Sequence, residues 1–195
     1  MSNTAVKLPP MMTVADFLEW PGDGLGTRFE LVDGELRAMA PGSDAHNTII
    51  ANVSLLIGNH VRRTRPDCRM VITPGVQPNL RADWNFRIPE IGVTCASSQA
   101  GLIMTPDPML LVEVLSPSNS SDTWANVANY TTVSSVAEIL IVHSTRVKAE
   151  LLRRGADGGW PANPEQVTMG GTIRLDSIGV EWPIAEAYFG TYLAP

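Results

Sequence analysis

The chain has no run of about 18 consecutive apolar residues, and its first ten residues carry one lysine and no apolar core of signal-peptide type. Membrane spanning and secretion are therefore not expected, and a cytoplasmic location is. Cysteine is scarce: Cys68 and Cys95 form no CxxC or Cys/His metal spacing, and one pair is too sparse for a disulfide scaffold, so reduced thiols are the expectation. There is no GxSxG, Walker loop, GxGxxG, HExxH or EF-hand loop, so nucleophilic, nucleotide-cradling and zinc chemistries lack support. Nothing supplies the aromatic platform that a two-carboxylate glycosidase cleft would want. Internal repeats, heptads and low-complexity tracts are also missing.

What is present suits a folded domain. The 195 residues are 44% hydrophobic and 17% charged, far from the signature of disorder, and the length favours one domain over residues 1–195 with residues 1–12 flexible. A net charge of −6 argues against a protein that coats nucleic acid, because that affinity comes from many phosphate contacts by Lys and Arg. The densest basic cluster, Arg62, Arg63, Arg65 and Arg69, reads most simply as a solvated helix end.

Local patterns give an element order. Residues 13–16 (TVAD) resemble a capping box without the usual Glu or Gln, opening a short helix to residue 20. Asp33-Gly34 between two apolar runs marks a two-residue hairpin over 28–39. That turn puts Val32 opposite Glu35 and Glu30 opposite Arg37, with all four on one face. A long core helix is predicted over 44–63, since Ile49, Ile50, Val53, Leu56, Ile57 and Val61 recur at helical spacing.

Strands are predicted at 68–73, 76–80, 86–95, 109–115, 137–143 and 146–154. A short helix is expected at 123–132, with loop and cap residues at 116–122. Pro89 implies a bulge or an unpaired position in its strand. The Gly/Pro/Trp-rich tail from Gly155 should pack on the domain. The sum is an α+β fold with a mixed sheet.

Glu113 stands out because it interrupts the most apolar strand. An unpaired buried carboxylate costs several kcal/mol, so it must be paired, protonated or bound to a cation. The non-functional alternative is an ion pair with Arg87 or Arg146. Glu90 is a second carboxylate in an apolar strand, or an edge residue facing water. Two inward glutamates on neighbouring strands need a cation between them or one raised pKa. Glu35 or Glu30 could complete an all-oxygen site for Mg²⁺ or Mn²⁺. Arg37 opposite Glu30 offers Glu30 a plain cross-strand ion pair, which leaves Glu35 the better ligand candidate. His46 could orient a phosphate, carboxylate or water from the first turn of the long helix. His60 and His143 read as structural.

Together, residues 29–36 (FELVDGEL), 43–46 (SDAH), 87–90 (RIPE), 111–118 (LVEVLSPS) and Asp122 followed by Tyr130 resemble the Uma-type restriction-endonuclease family of the PD-(D/E)XK nuclease superfamily. The resemblance runs from about residue 13 to 192. It implies a restriction-endonuclease-like core, a mixed sheet flanked by helices, and a divalent-metal site hydrolysing DNA phosphodiesters. In that frame Glu90 and Glu113 are metal ligands with Glu35 or Glu30, and Asn126 occupies a catalytic position. A homodimer is also implied.

Two departures from the family pattern matter. Glu90 stands where the pattern has aspartate. The superfamily lysine is replaced by Leu115, and the family's alternative lysine by Asn126. Loss of one such electrostatic group costs about 10² to 10³ in rate. The rival expectation is therefore a nuclease-fold domain without catalysis that binds nucleic acid or protein. A hydrolase of smaller phosphate esters would use the same ligands.

Overall fold

The N-terminal elements arise from two local devices. The computed structural model describes residues 11–116 and 120–194, and its first helix is α1, Val14–Glu19. Thr13 caps it, and Asp16 completes the capping box by accepting from the Thr13 backbone N–H at 3.0 Å, so an aspartate fills the place usually taken by Glu or Gln. Of the segment expected to be flexible, residues 1–10 lie outside the described residues. Met12, in contrast, is buried and donates its backbone N–H to the Gly34 carbonyl at 2.9 Å.

The second device is the hairpin of β1, Phe29–Val32, and β2, Glu35–Ala38. Asp33 and Gly34 both have positive φ, 52° and 89°, which is what a primed two-residue turn requires. The predicted register holds, with Val32 facing Glu35 and Glu30 facing Arg37. Leu31 is fully buried with Phe86, Phe17 and Leu36 packed around it, which fixes the inner face of the hairpin.

The main sheet has six strands: β3 (Arg69–Ile72), β4 (Ile91–Thr94), β5 (Pro108–Leu115), β6 (Glu138–His143), β7 (Lys148–Arg153) and β8 (Glu165–Thr168). They lie in sequence order, and only β5 and β6 are parallel, so the sheet is mixed. The parallel pair is bridged by α3, Ser120–Tyr130, because parallel neighbours need a crossover.

Alternation along β5 divides the core. Leu110, Val112 and Val114 pack with Ile49, Val53, Ile57 and Val61 of α2, Asp44–Thr64. Leu111 and Leu115 pack on the opposite face with Val127 and Tyr130 of α3. Glu113, between them in period two, therefore points to the α3 face.

Four expectations need correction. Residues 76–80 form no strand, and only Val76 makes an isolated bridge, to Arg87. The strand expected over 86–95 is split at Pro89: Phe86 and Arg87 bridge to Leu31 and Val76, and regular pairing resumes at Ile91, since proline has no N–H for the ladder. α3 starts at Ser120 rather than 123, and the cap residues expected at 117–119 lie outside the described residues.

The fourth concerns the cysteines. Cys68 and Cys95 are joined in a disulfide, not free. The pairing of Arg69 with Thr94 places their outer neighbours directly across from each other, a juxtaposition that spacing in sequence does not reveal.

The tail holds more regular structure than its composition suggests. Besides β8 it forms a hairpin of β9 (Thr172–Leu175) and β10 (Val180–Pro183), followed by a 3-10 segment, Ile184–Tyr188. Ile173, Leu175, Trp182 and Ile184 join the α2-side core, and the Asn52 side-chain amide of α2 donates to the carbonyls of Ala187 and Phe189. Among the described residues no helix is long and apolar enough to cross a membrane.

Candidate active site

Three carboxylates from different elements lie within electrostatic range of one another: Glu30 from β1, Glu90 just before β4, and Glu113 from β5, the last on the α3 face. Glu113 is 7% exposed, and the Tyr130 hydroxyl donates to its Oε1 at 2.7 Å. Neither Arg87 nor Arg146 pairs with it, so the structural ion pair considered from sequence is not formed. Burial pushes the Glu113 carboxyl well above its ordinary pKa. The Tyr130 hydroxyl opposes that shift, while the charges of Glu30 and Glu90 add to it.

Glu30 behaves similarly to a lesser degree. Burial raises its pKa, against lowering by the Ile88 N–H, Arg87 and Asn126. The Ile88 N–H donates to Glu30 Oε1 at 2.7 Å, and the Asn126 amide donates to Oε2 at 3.4 Å. The cross-strand pair with Arg37 does not form, because Arg37 reaches Asp122 of α3 instead, at 3.4 Å.

Glu35, the hairpin ligand favoured from the sequence, is exposed and has no hydrogen bond or ion pair to the group among the described residues. The reason is position along the strand. Glu35 sits beside the turn, whereas Glu30 lies two residues back from Val32, over the entry to β4 where the Ile88 N–H is open.

Glu90 projects toward α2. His46, buried in the first turn of that helix, meets Glu90 Oε1 through Nε2 at 3.0 Å. The Ser43 hydroxyl accepts the His46 backbone N–H, which anchors the helix start that carries the ring. His46 Nδ1 is buried without a partner.

Two further residues belong to the group. Tyr130 lies four residues after Asn126, hence on the same face of α3. Burial and the Glu113 charge push the Tyr130 phenol well above its ordinary pKa, so it stays a donor. Arg87 is 4% exposed, its Nη2 donates to Asn85 Oδ1 at 2.9 Å, and its Nε is buried without a partner. Its charge acts on Glu30 and Tyr130. In the sequence Tyr130 and Arg87 stand out only as markers of the family resemblance, with Arg87 also weighed as a counter-ion for Glu113, and the helical spacing from Asn126 is the signal for the role of Tyr130.

The donor set is chemically suited to a hard divalent cation: oxygen ligands only, one of them buried without a cationic partner. The placement is less complete. Among the described residues no three His, Cys, Asp or Glu side chains are gathered tightly enough to hold a metal as they stand, because Glu113 is turned to Tyr130 and Glu90 to His46. Chemistry and placement thus point differently.

A mixed six-stranded sheet between two helices, with an acidic group on the crossover side of the parallel pair, defines an α+β domain of nuclease-like fold. Its structure matches the crystal structure of "a putative nuclease belonging to DUF820" from Anabaena variabilis ATCC 29413, with a TM-score of 0.73 over 91% of this chain and 97% of that one, at 15% identity. The family model described as "Uma2: Putative restriction endonuclease" matches residues 14–185, and the chain belongs to that family. A relative from Synechocystis sp. (strain ATCC 27184 / PCC 6803 / Kazusa), "Uncharacterized protein slr1290", is 27% identical over 183 residues, covering 93% of each chain.

Proposed function

We propose that the protein is a divalent-metal-dependent endonuclease that hydrolyses DNA phosphodiester bonds, with Glu90, Glu113 and Glu30 as the metal ligands and Mg²⁺ or Mn²⁺ as the cation. The observation that carries this reading is Glu113: a carboxylate buried on β5 that feels the charges of Glu30 and Glu90 and forms no ion pair among the described residues. The chemistry a bound divalent cation supplies is polarisation of a phosphate oxygen and activation of water for attack.

The chain's own groups prepare for that. Burial disfavours the charged form of Glu113, and the Tyr130 hydroxyl favours it through the 2.7 Å bond. The Ile88 N–H and Asn126 amide hold Glu30 in place, and Arg87 favours its charged form. His46 orients Glu90. Asn126 donates a hydrogen bond where the family resemblance implies a lysine, so it positions without adding charge, and a slow enzyme is the consequence.

The second reading, a nuclease-fold domain that binds without cleaving, draws on the same Asn126 and on the incomplete gathering of the ligands. The discriminating experiment is cleavage of plasmid and oligonucleotide DNA with Mg²⁺ or Mn²⁺ by the parent, Glu113→Ala, Glu30→Ala and Glu35→Ala proteins. The nuclease reading expects cleavage by the parent and by Glu35→Ala, and its loss in the other two. No metal-dependent cleavage by the parent, or equal cleavage by Glu113→Ala, overturns it. A homodimer is also proposed, on the family resemblance alone, and gel filtration with light scattering tests it.

A further inference from the structure

We propose that Arg37 is a phosphate-binding residue for the DNA backbone at the rim of the carboxylate group, held in reserve by Asp122. This rests on the reading of the site as one that handles nucleic acid, and adds a residue for substrate binding that the metal chemistry does not require.

The hairpin register supplies the geometry. Glu30 and Arg37 are directly opposed on adjacent strands and share a face, so their Cβ atoms lie about 4.5–5.5 Å apart. Glu30 turns inward to Ile88 and Asn126, whereas the Arg37 side chain is 52% exposed. It pairs with Asp122, itself 61% exposed, in the first turn of α3. Asp122 precedes Asn126 by one helical turn, so the Arg37–Asp122 pair spans the rim between hairpin and helix directly above the residues that hold Glu30.

An exposed pair at 3.4 Å is weak and easily exchanged for a better anion. A phosphodiester is such an anion for arginine, whose planar fork matches two phosphate oxygens. Arg37 also stands within electrostatic range of the like-charged Arg87, which favours an anion alongside it.

Two other cations are poorly placed for this task. Arg62 lies sixteen residues beyond His46 on α2, about 24 Å along the helix axis. Lys148 is mostly buried and engaged by the buried Glu150 at 2.7 Å. In a chain of net charge −6, a polyanion needs local positive charge near the carboxylates, and Arg37 provides it at the rim.

Binding of a short fluorescein-labelled DNA duplex, measured by anisotropy with Ca²⁺ in place of Mg²⁺ and across a range of salt, tests this without requiring turnover. Arg37→Ala is expected to weaken binding about fivefold, the ceiling for one exposed charge contact, and to reduce the slope of log Kd against log salt by about 1. Asp122→Asn is expected to tighten binding, and that gain should vanish in the Arg37→Ala background, because it comes from freeing the arginine.

Equal affinity and salt slope for the parent and Arg37→Ala overturn the proposal. So does a gain from Asp122→Asn that persists without Arg37. Loss of affinity in Arg37→Ala alongside a parent that never cleaves DNA upholds the arginine's role and removes only hydrolysis. Cleavage by the parent that Arg37→Ala matches in KM and salt dependence does the reverse, and a parent that binds no duplex overturns both.

Discussion

Replacing Glu113 by glutamine should change how stability depends on pH, in metal-free buffer, by a calculable amount. Glu113 has a raised pKa in the fold because it is buried, whereas in the unfolded chain it ionises near the ordinary glutamate value. Between those two values the native state holds a proton that the unfolded state has lost. Stability is then greatest below the unfolded pKa and falls as pH rises, by about 1.4 kcal/mol per pH unit for each such proton, until the folded pKa is passed. Glu30, also raised, adds to the fall over its own narrower window.

Glutamine keeps the shape of Glu113 and offers the Tyr130 hydroxyl an oxygen, but it does not titrate. Urea denaturation of the parent and Glu113→Gln at successive pH values upward from the ordinary glutamate pKa, with chelator present, should therefore give curves whose slopes differ by up to about 1.4 kcal/mol per pH unit between the unfolded and folded pKa. Glu113→Gln becomes relatively more stable as pH increases. Since a domain of this kind is stable by roughly 5–15 kcal/mol, the difference is easily resolved. Parallel curves would refute the reasoning, because they would mean that the Glu113 carboxyl titrates alike in the folded and unfolded chain.

Asn126→Lys restores a charge beside Glu30, and the proposed chemistry expects a gain in cleavage rate of about 10² to 10³. Single-turnover kinetics would show it, and an unchanged or lower rate argues that Asn126 is not at the reacting phosphate. Reduction of the Cys68–Cys95 disulfide, which closes 27 residues of chain, should lower stability by about 3.5 kcal/mol on a loop-entropy basis. A denaturation midpoint that dithiothreitol leaves in place contradicts the cross-link.

The parts of this molecule that local pattern dictates were readable in advance. The Asp33-Gly34 turn set the hairpin register, helical spacing set α2, and the apolar run set β5 with its anomalous glutamate. The misreadings share a cause, which is that they depend on where separate elements meet. Opposition in the hairpin suggested that Arg37 neutralises Glu30, but α3 supplies Asp122 to the arginine and β4's entry supplies the Ile88 N–H to the glutamate. Glu35 looked free by the same local logic and turned out simply to face solvent. The disulfide follows from the β3–β4 register. Strands β8 to β10 were hidden because their exposed faces are polar and their few inward residues, such as Val167, Ile173 and Trp182, are widely spaced.

The central claim, that Glu113 is held ready for a divalent cation, is tested most directly by calorimetric titration of the parent and Glu113→Gln with Mn²⁺ at pH 7 in two buffers of different ionisation enthalpy. Ligands must lose their protons to bind a metal, so the account predicts that the parent binds Mn²⁺ with proton release, seen as a buffer-dependent heat, and that Glu113→Gln loses that binding. Absence of Mn²⁺ binding by the parent, or undiminished binding by Glu113→Gln, would contradict it.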